Sequence, residues 1–193
     1  MNIYIINGPP RAGKDQLAKF IRFTLHALEE DCEILKFAKP LDDMAKAILP
    51  EHIVDDYDSW RETKKDVVFN SQGATVRKVL IGVSENLVKP LLGKTYFAEK
   101  AVDMIQNTRH IDNVVFSDSG FQTEFDHFVD HMAPDHKVLL IRLERAGKGF
   151  QGDSRNFISS RGKCSETTVQ NNGSLSELKA KAQMLVVKME EMK

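Results

Sequence analysis

Cysteine is nearly absent. Cys32 and Cys164 are the only two in 193 residues, too few and too far apart for a disulfide framework or a zinc site, and they read as reduced thiols of a cytosolic protein. Long apolar runs are missing as well. No stretch approaches the roughly 20 residues needed to cross a bilayer, which argues against a membrane partner. The opening "MNIYIINGPP" is too short and too uncharged at its start to read as a secretory signal. Neither sign of charge is in surplus: 27 Lys and Arg against 28 Asp and Glu leave a formal net charge of −1. That balance argues against polymeric nucleic acid bound through an overall field and leaves room for a local basic pocket. No internal repeat or low-complexity stretch appears. What remains, 41% hydrophobic and 28% charged residues, suits one globular domain with a small insertion or lid.

The first element is a short β-branched apolar run, Asn2 to Asn7, closed by Gly-Pro-Pro, and it predicts a buried strand. From Lys14 the apolar residues Leu17, Ala18, Phe20, Ile21, Leu25 and Leu28 recur at helical spacing to about Glu30. A second strand is expected at Cys32 to Phe37, then a helix carrying Pro40 in its first turn. Residues 50–74 look polar and irregular, with the acidic "DDYDSW" as a solvated loop. A helix from about Thr75 is expected to break before Pro90, and another covers "TYFAEKAVDMIQN". Strands at Asn113 to Gly120 and His136 to Leu143 flank a helix from about Thr123 to Met132. A short fifth strand in "ETTVQNNGS" and a closing helix ending in "KMEEMK" complete the chain. Alternating strands and helices imply a parallel sheet covered on both faces, with ligands at the carboxyl ends of the strands.

The turn after the first strand, "NGPPRAGKDQLAKF", nearly matches a phosphate-binding loop, in which Gly, four residues and Gly-Lys precede a Ser or Thr. Gly8, Gly13 and Lys14 fall in register, with Arg11 and Ala12 between them, while Asp15 takes the place of the hydroxyl residue and Gln16 follows. A Gly-rich turn opening a helix presents N–H groups and the positive end of a dipole to an anion, and Lys14 adds a point charge. Asp15 has two readings, as a complement to the helix dipole or as a ligand for Mg²⁺, and spacing does not choose between them.

"GPPRAGKD" resembles the loop of the deoxynucleoside-monophosphate kinases carried by large bacteriophages, in the nucleoside-monophosphate-kinase branch of the P-loop proteins. Animal phosphomevalonate kinases look similar at this loop. Further stretches agree in order: "LKFAKPLDDM", "ATVRKVLIGVSENLVKPLLGKTYFAEKA", "NVVFSDSGFQTEFD" and "VQNNGSLSELKAKA". The departures are Gln16 for a usual Thr, Gly120 for an arginine, and a short, divergent lid. The resemblance implies an α/β three-layer P-loop kinase fold with a five-stranded parallel sheet. It divides the chain into a core (1–37, 111–144, 165–193), a helical acceptor-binding region (38–110) and a lid (145–164).

It also implies transfer of the γ-phosphate of ATP to a deoxynucleoside monophosphate with Mg²⁺. Other readings are another small phosphorylated acceptor, such as phosphomevalonate, or a P-loop protein that binds nucleotide without transfer. Phosphoryl transfer asks for alignment and positive charge, and arginine suits phosphate because its planar fork binds oxygens in pairs. Lys14, Arg77, Arg142, Arg145, Arg155 and Arg161 are the cations near strand ends. Under the resemblance Lys14, Arg145, Arg155 and Asp118 are catalytic, and Asp15 and Asp118 organise the metal. Gly8, Arg11, Ala12, Gly13, Lys14, Asp15, Gln16, Asn171 and Gly173 would hold ATP. Phe37, Lys39, Arg77, Glu124 and Arg161 would serve the acceptor. The resemblance places the enzyme in the cytoplasm, that of the host if the chain is phage-encoded, and a homodimer is compatible with it. His127 and His131, four apart on a helix, lack a third ligand and read as surface residues.

Overall fold

The computed structural model describes residues 1–108 and 111–192; Lys193, at the end of the closing stretch, lies outside them. Five strands, β1 (Asn2–Asn7), β2 (Cys32–Leu35), β3 (Asn113–Ser119), β4 (Lys137–Glu144) and β5 (Ser165–Gln170), form one sheet in the order β2-β3-β1-β4-β5. Every pairing is parallel. This is the expected three-layer α/β fold, with β1 at its centre. Helices α1 (Lys14–His26) and α9 (Leu175–Glu191) cover one face, where Leu17, Ile21, Leu178 and Leu185 meet Tyr4, Ile6, Val115 and Leu139. Helices α7 (Tyr96–Asn107) and α8 (Gln122–Met132) cover the other, where Ala98, Ala101, Phe125 and Phe128 meet Ile3, Ile5, Val114 and Leu140. Successive residues of β1 thus feed opposite cores, and both faces are apolar, as a parallel sheet requires. Ser174 caps α9 through a capping box with Glu177.

The chain forms two compact units, 1–37 with 98–193, and 38–97. The second unit holds α2 (Lys39–Lys46), α3 (Glu51–Val54), α4 (Tyr57–Glu62), α5 (Val76–Ile81), a π-helical segment (Gly82–Val88) and α6 (Lys89–Leu92). Residues 50–74 are therefore not simply irregular. Ile53 is fully buried and Tyr57 nearly so, packed with Ala45, Leu49, Val76 and Leu80; four- and six-residue helices are too short to show a period in sequence. Nor does the chain break before Pro90. The N–H of Lys89 bonds to Ser84 O, five residues back. Widening the helix this way accommodates the missing N–H and the ring of proline, which would obstruct an α-helical ladder.

Among the described residues no helix is long and apolar enough to cross a membrane.

Candidate active site

At the carboxyl end of β1 the chain turns through Gly8 to Gly13 and enters α1. The turn is tight against its neighbours. A Cβ on Gly8 would stand 2.4 Å from the carbonyl oxygen of Leu143 at the end of β4. Gly13 has φ of +100°, a left-handed conformation that favours glycine, and a Cβ there would meet Asn171 Nδ2 at 2.6 Å. Arg11, exposed, also has positive φ, at 62°. Ala12 is fully buried; its N–H donates to Pro9 O at 3.2 Å, and its carbonyl accepts from Asn171 Nδ2 at 2.7 Å. Asn171 is fixed in turn by its own N–H, which donates to Glu144 O at 2.7 Å. The loop after β5, with Asn171 to Gly173, is thus pinned to the loop after β1.

No side chain caps the start of α1, so its first N–H groups remain for an anion. Gln16 lies half-buried in that turn. The ammonium of Lys14 folds back over the loop and donates to the carbonyls of Gly8 and Pro9, each at 2.9 Å. Burial pulls its pKa down to about 8, helped by the positive charge of Arg155 and opposed by Asp15, Asp118 and Asp153. These groups all lie within electrostatic reach of one another's target, Lys14.

Two carboxylates reach this edge. Asp15 Oδ1 accepts the hydroxyl of Ser117 at 2.8 Å, and Asp118 Oδ1 accepts the N–H of Phe37 at 2.9 Å. Between Ile5↔Phe116 and Asn7↔Ser119 the register slips by one residue, a bulge that places Ser117 and Asp118 opposite a single residue of β1. The pair suits a hard divalent cation, since both are carboxylate oxygens. Among the described residues no group of three or more His, Cys, Asp or Glu side chains converges, so such an ion would draw its other ligands from the nucleotide and water.

The arginines separate. Arg155 is half-buried and paired with Asp153, Nη2 to Oδ2 at 2.6 Å. Arg145 is exposed at the end of β4. Arg161 faces Asp126 and Asp130 of α8, at 3.6 and 3.4 Å. Arg142 ties the later loop down, donating from Nε to Ile158 O at 2.7 Å and pairing with Glu166 at 3.0 Å.

Phe37 stacks its ring in a trio with Phe116 and Phe128, with centroids 4.6 and 5.3 Å away. Glu124 is buried in the first turn of α8. Within the second unit, Lys39 begins α2 and pairs with Asp43. Arg77 in α5 pairs with Asp66, Nη2 to Oδ2 at 2.9 Å. Two residues at this edge escaped the sequence reading: Asn7, a polar end to an apolar strand, and Ser117. Their partners lie more than a hundred residues away; the only local hint was a fully polar residue where a buried strand ends.

No known family profile matches the sequence, and no curated protein matches it. Solved structures do. The APS kinase CysC of Mycobacterium tuberculosis, in complex with AMPPNP and APS, superposes with a TM-score of 0.50 at 11% identity, over 98% of each chain. A gluconokinase from Sinorhizobium meliloti gives 0.48 at 11% identity, over 98% of this chain and 94% of that one. The fold is shared with that APS kinase.

Proposed function

We propose that the protein transfers the γ-phosphoryl group of ATP to a deoxynucleoside monophosphate, giving the diphosphate and ADP. The observation that carries this reading is the uncapped start of α1 with the Lys14 ammonium poised over the loop, 2.9 Å from two of its carbonyls. On nucleotide arrival, Lys14 exchanges those carbonyls for phosphate oxygens, and the N–H groups of the first helical turn take the remaining oxygens. Arg155 exchanges Asp153 for the transferring group, where its fork spreads charge over two oxygens. Asp15 and Asp118 are the residues that would hold Mg²⁺, whose charge offsets that of the phosphates when bound. Asn171 keeps the two loops in register. The assignment of Phe37, Lys39, Arg77, Glu124 and Arg161 to the acceptor, and of Arg145 to the phosphates, rests on the sequence resemblance. So does the choice of acceptor.

The test is purified protein with ATP, Mg²⁺ and each nucleoside monophosphate in turn, with products resolved by chromatography. Deoxynucleoside diphosphates that vanish in Lys14→Ala support the reading and give its base range. ATP binding with no diphosphate from any monophosphate overturns the acceptor, and phosphomevalonate is then the next substrate to try. Failure of every acceptor alongside tight ATP binding leaves a nucleotide-binding protein without transfer.

A further inference from the structure

Two residues at the carboxyl edge of the sheet are not required by the nucleotide loop itself: Asn7 and Gly120. Asn7 ends β1 and is 0% exposed, a costly place for an amide unless its polar atoms are matched. Three backbone groups match them. Nδ2 donates to the carbonyls of Ser119 and Asn156, both at 3.0 Å, and Oδ1 accepts the N–H of Ile158 at 3.1 Å. One amide thus grips a carbonyl and an N–H two residues apart, as a neighbouring strand would, and lays residues 156–158 against the ends of β1 and β3.

Other contacts hold the same strap. Asn156 N–H donates to Gly120 O at 3.1 Å, and Ile158 is buried in the α7/α8 core. Gln122 closes a two-bond ring on Ser159, accepting its N–H at 2.9 Å and donating to its carbonyl at 3.0 Å. The segment is built into the sheet edge, although its sequence reads as a Gly- and Arg-containing loop.

Arg155 stands just before the strap, and its stem lies on Gly120. A Cβ at residue 120 would be 2.7 Å from each of Cβ, Cγ and Cδ of Arg155, well inside carbon–carbon contact. Gly120 does not have the positive φ of Gly13, so space rather than backbone conformation demands glycine here. Asp153 steadies the guanidinium, accepting from Nε at 2.8 Å and Nη2 at 2.6 Å. Among the charges that act on Lys14, that of Arg155 is the foremost.

We propose that Asn7 and Gly120 are positioning residues: they hold Arg155 beside the nucleotide loop before any ligand arrives, so the second phosphate-facing cation is part of the sheet edge. The proposal rests on the functional reading above for what Arg155 acts upon. It also gives the departure at residue 120 a physical sense, since the space over the end of β3 is filled by an arginine stem from the segment between β4 and β5.

The experiment is a double-mutant cycle on kcat with ATP and a deoxynucleoside monophosphate, read beside crystal structures of the ligand-free variants. The variants are Arg155→Gln, Gly120→Ala, Asn7→Ser and the pair Gly120→Ala with Arg155→Gln, each checked for native circular dichroism. In ligand-free Gly120→Ala and Asn7→Ser the Arg155 stem should leave its place over residue 120. Turnover should fall at least about tenfold in Arg155→Gln and Gly120→Ala, and the pair should fall no further than Arg155→Gln alone. The alanine variant carries the test if the buried Asn7→Ser does not fold. A folded Gly120→Ala with Arg155 in its wild-type place, or losses that add in the pair, would overturn the proposal. A displaced Arg155 in Gly120→Ala beside an unchanged kcat in Arg155→Gln would uphold the positioning and overturn the role of Arg155 in transfer.

Discussion

The hydroxyl of Ser117 donates to Asp15 Oδ1 at 2.8 Å, joining β3 to the first turn of α1 across 102 positions of sequence. Asp15 stands where a phosphate loop commonly has its own hydroxyl; here the hydroxyl comes from the neighbouring strand and orients the carboxylate. Ser117→Ala should therefore cost about 0.5–1.5 kcal/mol in urea unfolding. The Mg²⁺ concentration for half-maximal turnover should rise about two- to tenfold. A metal requirement identical to wild type would show that Asp15 needs no such orientation.

Lys14 is a half-buried cation satisfied by two loop carbonyls. Lys14→Met keeps the stem and removes the charge. Turnover should fall at least about a hundredfold, the scale of losing one preorganised electrostatic contact. Thermal stability at pH 7 should stay level or rise, because the desolvation that depresses the lysine pKa is removed. A large drop in Tm would contradict that account.

The same lysine sets two opposite pH trends. Its folded pKa, about 8, lies below its ordinary value of 10.5. Below pH 8 it is protonated both folded and unfolded, and the burial penalty is fully present. Between about 8 and 10.5 the folded protein has already released the proton while the unfolded chain holds it, so Lys14's contribution to ligand-free stability increases with pH. Nucleotide binding runs the other way, since phosphate favours the ammonium. The Kd for ATP should be flat below pH 8 and rise above it, and calorimetry at pH 8 in buffers of different ionisation heat should record proton uptake.

Gly8 is held by space. A methyl there would meet a backbone oxygen of β4 at 2.4 Å, which cannot swing aside as a side chain can. Gly8→Ala should destabilise by about 1–3 kcal/mol, lowering Tm by about 2–4 °C for each of those kilocalories. ATP affinity should fall with it. Unchanged melting would mean that the end of β4 yields.

The fold was largely legible because its signals are local. The apolar run Asn2 to Asn7, the helical spacing from Lys14 and the Gly-rich turn between them need no partner to be recognised, and the structure has all three, with α1 ending at His26 rather than about Glu30. The second unit was harder. Ile53 and Tyr57 belong to helices of four and six residues, and their burial depends on Ala45 and Leu80, which sequence does not put beside them. Pro90 was misread because a π-helical turn removes the conflict that usually stops a helix. At the site, Gly120 and Arg155 were each visible as an oddity, an expected cation missing and an arginine in a loop. Only three dimensions join them, through an amide at Asn7 whose complete burial has no signature in composition or period.

The bond from Phe37 N–H to Asp118 at 2.9 Å gives one carboxylate two obligations. Phe37 is the last residue of the first unit before the chain departs through 38–97. The oxygen that anchors this departure point belongs to the residue proposed to face the metal. Asp118→Asn preserves an acceptor for Phe37 while discarding the charge, whereas Asp118→Ala discards both, so the pair separates anchoring from metal affinity. Whatever takes hold of Asp118 thus acts on a carboxylate that already fixes the backbone of Phe37, so metal affinity and the order of the chain after β2 draw on the same oxygen pair.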